Sequence, residues 1–144
     1  MVQPWSLYCV YTIRRTQALD RCLAEGGAGS FVENKAWKGA DRLLTESIGR
    51  GQRMPIVFSA AEGETGSGLT YWAKLTELEV DDGDPALGRK AKTTYWFTEL
   101  TPLTGRHRLS DLNKKSDGKP LSEDFIRPYA LCLTPAFLED ERQP

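Results

Sequence analysis

The sequence predicts an α+β fold: a small mixed, strongly bent β-barrel of about five to six strands with short flanking helices. Three observations carry this. Short runs of alternating apolar and polar residues recur along the chain, which is the period-two pattern of half-buried strands. Helical spacing appears in two early stretches and in a brief one at the end. No long helix separates each pair of strands, which argues against a doubly wound parallel sheet.

The elements follow in order. Residues 5–13 alternate, with Trp5, Leu7, Cys9, Tyr11 and Ile13 on one face, and Arg14-Arg15 ends the run at the surface. Thr16 is placed to cap a short helix carrying Ala18, Leu19, Cys22 and Leu23, stopped by Gly26-Gly27. Residues 26–38 have no clear period and read as a loop or a short irregular strand. Ala40, Leu43, Leu44 and Ile48 return to helical phase, ended by Gly49 and Gly51. PIVFSA at 55–60 suits a buried strand, and a Gly-rich polar loop follows it. Leu69, Tyr71, Ala73 and Leu75 alternate again. Leu78 and Val80 fall on the other parity, so a bulge or strand end is expected at Glu77.

DDGDPALGRKAK at 81–92 is an exposed connection by composition. The run at 93–103 sets Tyr95 and Phe97 against Thr94, Trp96 and Thr98. Residues 109–119 are polar and turn-rich, with one helical turn at 110–112. Tyr129–Thr134 is the last strand, and Thr134-Pro135 opens a brief C-terminal helix. With no repeat and no linker, residues 1–138 read as a single domain and 139–144 as a tail.

Composition narrows the function. The chain of 144 residues is long enough for one real core. Its net charge of −1 lacks the strongly basic balance of a dedicated nucleic-acid protein, but leaves recognition of one nucleotide in a pocket open. Cys9, Cys22 and Cys132 are widely spaced and odd in number, which fits a reduced, intracellular setting. His107 is the only histidine, which argues against a histidine-based zinc site. Between two arginines it is also poorly placed as a catalytic base. Asp81–Asp84 lacks the later Gly and Glu of a calcium loop, and GETGSG at 63–68 lacks the Gly-Lys-Ser/Thr of a phosphate loop. No metal, cofactor or catalytic set is expected. No apolar stretch approaches membrane-spanning length and no signal-peptide pattern opens the chain, so a soluble cytoplasmic protein is expected.

The chemistry that remains is aromatic. Trp37 follows Asn34-Lys35 and leads into a helix. IVFSAAE at 56–62, the Gly-containing loop and YWAKLTEL at 71–78 come next, then TYWFTEL at 94–100 and PYALCLTP at 128–135. In this order the chain resembles the PUA-like superfamily, and within it the EVE and YTH-like branch. The resemblance spans most of the chain and is one of topology more than of strict motif. It implies a small β-barrel flanked by helices that binds a nucleic-acid base, often a modified one, in an aromatic-lined pocket. Trp37 and Trp72 occupy places comparable to the cage aromatics of YTH-like members, although Trp72 lies within a strand run rather than a loop.

The residues themselves suit that task. Stacking a base between aromatic rings is worth about 1–3 kcal/mol. Asn34 offers both a donor and an acceptor to a base edge, and Ser59 and the amides of the 59–68 loop offer similar groups. Lys35 and Lys38 are placed to meet phosphate. Arg106, Arg108, Lys114 and Lys115 form a local basic stretch, with Lys119 beyond, suited to a nucleic-acid backbone. The expected ligand site is therefore Asn34, Lys35, Trp37, Ser59 and Trp72. Its partner is a modified DNA or RNA base or a nucleotide-like small molecule.

Each feature also has a plainer reading. Large aromatics are usually buried for packing, so Trp37 can simply cover the core beside its helix. Tyr71 and Trp72 are neighbours on a strand and face opposite ways, so at most one meets a given pocket. The basic stretch can be a solvated loop. Two further functions compete. ASCH-like relatives include nucleases and amide hydrolases that use Lys, Glu and Tyr or Thr, for which Lys35, Lys74, Glu62 and Tyr129 are the candidates. A protein-interaction module is the other.

Overall fold

Alternation in the first apolar run sends Cys9 and Tyr11 to one side and Val10 to the other, and the backbone there is extended. This is β1 (Tyr8–Arg14) in a computed structural model that describes residues 3–60, 68–122 and 129–142. The chain continues through α1 (Thr16–Ala24), β2 (Gly29–Glu33), α2 (Lys38–Gly49), β3 (Met54–Ala60), β4 (Leu69–Asp81), β5 (Lys92–Pro102), β6 (Tyr129–Leu133) and α3 (Phe137–Arg142). Short 3-10 turns lie at Pro85–Leu87 and Leu109–Asp111. Among the described residues no helix is long and apolar enough to cross a membrane.

The expected α+β class holds. Six strands form one mixed sheet in the order β2-β5-β4-β3-β1-β6. β1 runs parallel to β3, and every other neighbouring pair is antiparallel. The hydrogen-bonded ladder is open, with β2 and β6 as its edges. β2 lies where the aperiodic stretch left a loop or short strand. Gly29 explains the ambiguity: a Cβ there would come 2.7 Å from the Cys22 Sγ and 3.0 Å from the Phe97 ring, so close packing excludes an ordinary strand residue. The bulge expected at Glu77 is present as a register shift between Leu75 and Glu77. It turns both Leu75 and Leu78 toward one core, which resolves their opposite parity. α1 begins after Arg15, whose side chain makes no cap, so the Thr16 cap expected from the sequence does not form. α3 reaches Arg142, past the expected start of the tail.

Each face of the sheet has its own core. α1 and α2 cover one face through Leu19, Ala40 and Leu44, which pack with Val10, Ile56, Phe58, Tyr95, Phe97 and Trp37. The other face carries Cys9, Tyr11, Val57, Trp72 and Cys132, closed by Leu109, Leu112, Leu121 and Leu138. The Tyr71 hydroxyl donates to the Asp20 carboxylate and ties α1 to β4; burial first, and then this carboxylate, push the phenol up to about 12.

Side chains link the two ends of the open ladder. Arg14 is not a surface terminator, as its position at the end of β1 suggested. Its guanidinium reaches β2, donating to the Glu33 carboxylate at 2.7 Å and the Val32 carbonyl at 2.8 Å, and donates to the Tyr95 hydroxyl on β5 at 3.1 Å. It also lies over the Phe31 ring, 4.6 Å from the centroid. Both partners of this ion pair are largely enclosed, with side-chain exposures of 22% and 14%.

Burial raises the pKa of Glu33, and Arg14 pulls it back down. A raised folded-state pKa means that the folded chain holds this proton more tightly than the unfolded chain does. The stability from this group is therefore full below the unfolded pKa and falls as pH rises through the folded one. Arg14→Met strands the carboxylate and enlarges that loss. Urea unfolding should show the variant less stable by about 1–3 kcal/mol at about pH 7, with a smaller deficit at about pH 4 where the carboxyl takes up its proton. An equal deficit at both pH values would show that the ion pair is not what Arg14 contributes.

Candidate functional site

β2 ends at Glu33, and residues 34–37 lead into the head of α2. Thr93 on β5 holds this lead-in from both sides. Its hydroxyl donates to the Lys35 carbonyl at 2.7 Å and accepts from the Trp37 amide at 2.9 Å. Trp37 is therefore placed by backbone bonds before its ring makes any contact. The first amides of a helix have no partner within it, and Trp37 supplies no side-chain cap. One such amide, that of Ala40, donates instead to the Tyr129 hydroxyl on β6 at 3.1 Å. Gly39 permits this approach, since a Cβ there would lie 2.9 Å from Leu131 Cδ1 and 3.5 Å from the Tyr129 oxygen.

The Trp37 ring stacks on Tyr95 of β5, at 5.0 Å between centroids and 15° between planes, and on Tyr129 of β6, at 4.6 Å and 15°. Trp37 and Tyr95 are fully buried, while Tyr129 is only half-buried. Burial raises the Tyr129 phenol, with the bond from Ala40 opposing it. Burial raises Tyr95 as well, against the lowering effect of Arg14. Both phenols keep their protons at neutral pH.

The expected ligand residues divide between the two faces. Asn34 and Lys35 are exposed beside the stack, and neither side chain has a hydrogen-bond partner among the described residues. Trp72 and Ser59 lie on the opposite face. Trp72 packs against Trp5 at 5.2 Å, and the Ser59 hydroxyl shares a 2.6 Å hydrogen bond with Tyr11. A clamp built from Trp37 and Trp72 therefore does not form in this structure. Strand alternation is the reason, since Trp72 points away from Tyr71 and Ala73, which share the face of Trp37.

The basic residues are also dispersed. Lys38 pairs with Asp82 at 3.0 Å on the open surface. The turn at 113–120 lies along the outer edge of β6, with Lys115 donating its amide to the Leu131 carbonyl and Leu133 donating to that of Asn113. This places Lys114 and Lys115 beside the strand that begins with Tyr129. Lys114 pairs with Asp117 at 3.3 Å, and Lys115 sits 5.0 Å above the Tyr8 ring. Arg106 and Arg108 are exposed on the loop that borders the other core.

Two of the enzyme candidates, Tyr129 and Lys74, lie apart. The Tyr129 hydroxyl stands at the head of α2, whereas Lys74 stands beside Leu44 and Ile48 in its second half. Glu62, and with it most of the 59–68 loop, lies outside the described residues. Sequence reasoning set Tyr95 on one strand face with Phe97 and took Tyr129 for a catalytic candidate, and did not join either to Trp37. The available signal was that both stand on strands and that a buried tyrosine needs a partner for its hydroxyl.

No family model matches the chain, and no curated protein matches it. Among solved structures it is similar to the YTH domain of the Zygosaccharomyces rouxii MRB1 protein in complex with N6-methyladenosine RNA. The two share 15% sequence identity at a TM-score of 0.36, over 92% of this chain and 83% of that one.

Enclosure of Trp37 has a direct consequence for stability. Trp37→Ala should cost about 3–5 kcal/mol in urea unfolding, the range for truncating a buried large aromatic. Tyr129→Phe keeps the stack and leaves the Ala40 amide without its acceptor, so it should cost about 1–3 kcal/mol. A Trp37→Ala loss below that of Tyr129→Phe would contradict the stacking described.

Proposed function

We propose that this chain is a nucleic-acid-binding module that reads a single base, preferentially a modified one, at the head of α2. The observation that carries this reading is the stack of Trp37 and Tyr129 beside two exposed, unengaged polar side chains, Asn34 and Lys35. A flat ring is what such a place accepts. Tyr129 is the movable member. It is half-buried, it opens an edge strand, and one hydrogen bond to the Ala40 amide holds its hydroxyl. A base that takes over the face of Trp37 replaces one stacking partner with another.

Recognition then divides among the residues around the rings. Stacking accepts any base, so the edge must be read by polar groups. The Asn34 amide supplies a donor and an acceptor for an adenine-like edge. Lys35 meets phosphate, and the positive end of the α2 dipole favours the same charge. Lys114 and Lys115, along β6, lie on the path of a strand that leaves past Tyr129. A methyl group on the base adds apolar surface against the rings, worth about 0.8 kcal/mol when buried. Trp72 and Ser59 have no part in this site.

Tryptophan fluorescence titration tests this with methylated and unmethylated nucleosides and with short DNA and RNA oligonucleotides. One modified base should give saturable quenching. Asn34→Ala should weaken binding about tenfold, as for loss of one base-edge contact. Lys35→Ala should weaken oligonucleotides more than nucleosides. Both residues are exposed, so neither change should move the unfolding midpoint. Absence of saturable quenching by any ligand, or full affinity in both variants, would overturn the reading.

A further inference from the structure

At the other end of α2 a second site is built from different chemistry. β4 extends past the start of β3, since Met54 pairs with Leu75 and Thr76 has no partner on that side. The second half of α2 crosses this step and leaves a cleft of ≈ 190 Å³. Its apolar wall is Leu44, Ile48, Met54 and Leu75, and its polar rim includes Arg53 and Lys74. Ile48 is 61% exposed although it is a large aliphatic residue, so the apolar wall continues out of the cleft.

The rim has one sign of charge. Arg53 and Lys74 line the cleft together with glutamines and a threonine, and no carboxylate among the described residues lines it. The Lys74 ammonium has no ion-pair or hydrogen-bond partner among the described residues. Arg53 is held in place, since its Nε donates to the Gln3 carbonyl at 2.7 Å and its guanidinium lies 4.1 Å from the Trp5 ring centroid. One cation is thus preorganised and one is available. Drug-sized ligands occupy pockets of roughly 300–1,000 Å³, and the smaller volume here selects a fragment-sized guest.

We propose that this cleft binds a small organic anion, with one apolar ring or short aliphatic body against Leu44, Ile48 and Met54 and one carboxylate on Lys74. The proposal does not depend on base reading at Trp37, because the two places lie at opposite ends of α2. A charge-assisted hydrogen bond to a carboxylate is stronger than a neutral one, so Lys74 should dominate recognition.

The test is a titration of the ¹⁵N-labelled protein with benzoate, cyclohexanecarboxylate and the neutral isostere benzamide, followed by amide chemical shifts. Benzoate and cyclohexanecarboxylate should move the resonances of Leu44, Ile48, Met54 and Leu75 saturably and leave Trp37 in place. Lys74→Gln, at a partly exposed position, should keep the native spectrum and bind each carboxylate about tenfold more weakly or worse. Benzamide should bind the wild type no better than benzoate binds Lys74→Gln. The proposal is overturned by shifts that fail to saturate with either acid, by equal affinity in Lys74→Gln, or by equal binding of benzamide.

Discussion

One ring lies between the two halves of an open sheet. Trp37 touches Tyr95, one strand in from the β2 edge, and Tyr129, on the β6 edge at the far end of the ladder. Among the described residues no strand pairing joins β2 to β6, and side chains link the two ends of the sheet. Arg14 makes a second link of the same kind, from β1 to Glu33 and Val32 on β2. Stacked aromatics and a largely enclosed ion pair therefore do the work that strand pairing does in a closed barrel. The head of α2 depends on the same contacts, because the Ala40 amide takes its acceptor from Tyr129.

On the proposed reading, one place serves both the fold and base recognition. Tyr129 is half-buried, and partner exchange there would give up its stack on Trp37 and its bond from the Ala40 amide, so base binding and the hold on the sheet draw on the same contacts. The Trp37 amide donates to the Thr93 hydroxyl, which itself donates to the Lys35 carbonyl, and this suits a rigid platform more than a moving one. The opposite face is organised separately. Its Trp72 packs on Trp5, while the buried Cys9 and Cys132 stand directly across from one another in β1 and β6. Burial pushes the Cys132 thiol up to about 12, so it stays protonated at neutral pH.

Much of the fold was legible because period-two alternation reports burial directly. Cys9 with Tyr11, and Tyr95 with Phe97 against Trp96, were set on shared faces from that signal alone. The parity change at Glu77 even located a bulge. β2 was less legible, since Gly29 and Ser30 carry little apolar signal and the strand is defined by its pairing with β5. The candidate site was read only in part. Trp37, Asn34 and Lys35 are local in sequence and were found together. Tyr95 and Tyr129 reach Trp37 from 58 and 92 residues further along the chain, and no local pattern joins them. Pairing Trp72 with Trp37 followed their order in the chain, whereas alternation along β4 decided the face. Arg14 was misplaced for a related reason: the end of a strand is a surface only if nothing returns to cover it, and β2 does.

The most direct measurement is a double-mutant cycle on the stack, using Trp37→Leu, Tyr129→Leu and the double variant in urea unfolding. Two rings in stacking contact should show a coupling of about 0.5–1.5 kcal/mol beyond their separate burial. A coupling within error of zero would mean that Trp37 and Tyr129 pack independently, and that the ends of this sheet are held by something other than the ring between them.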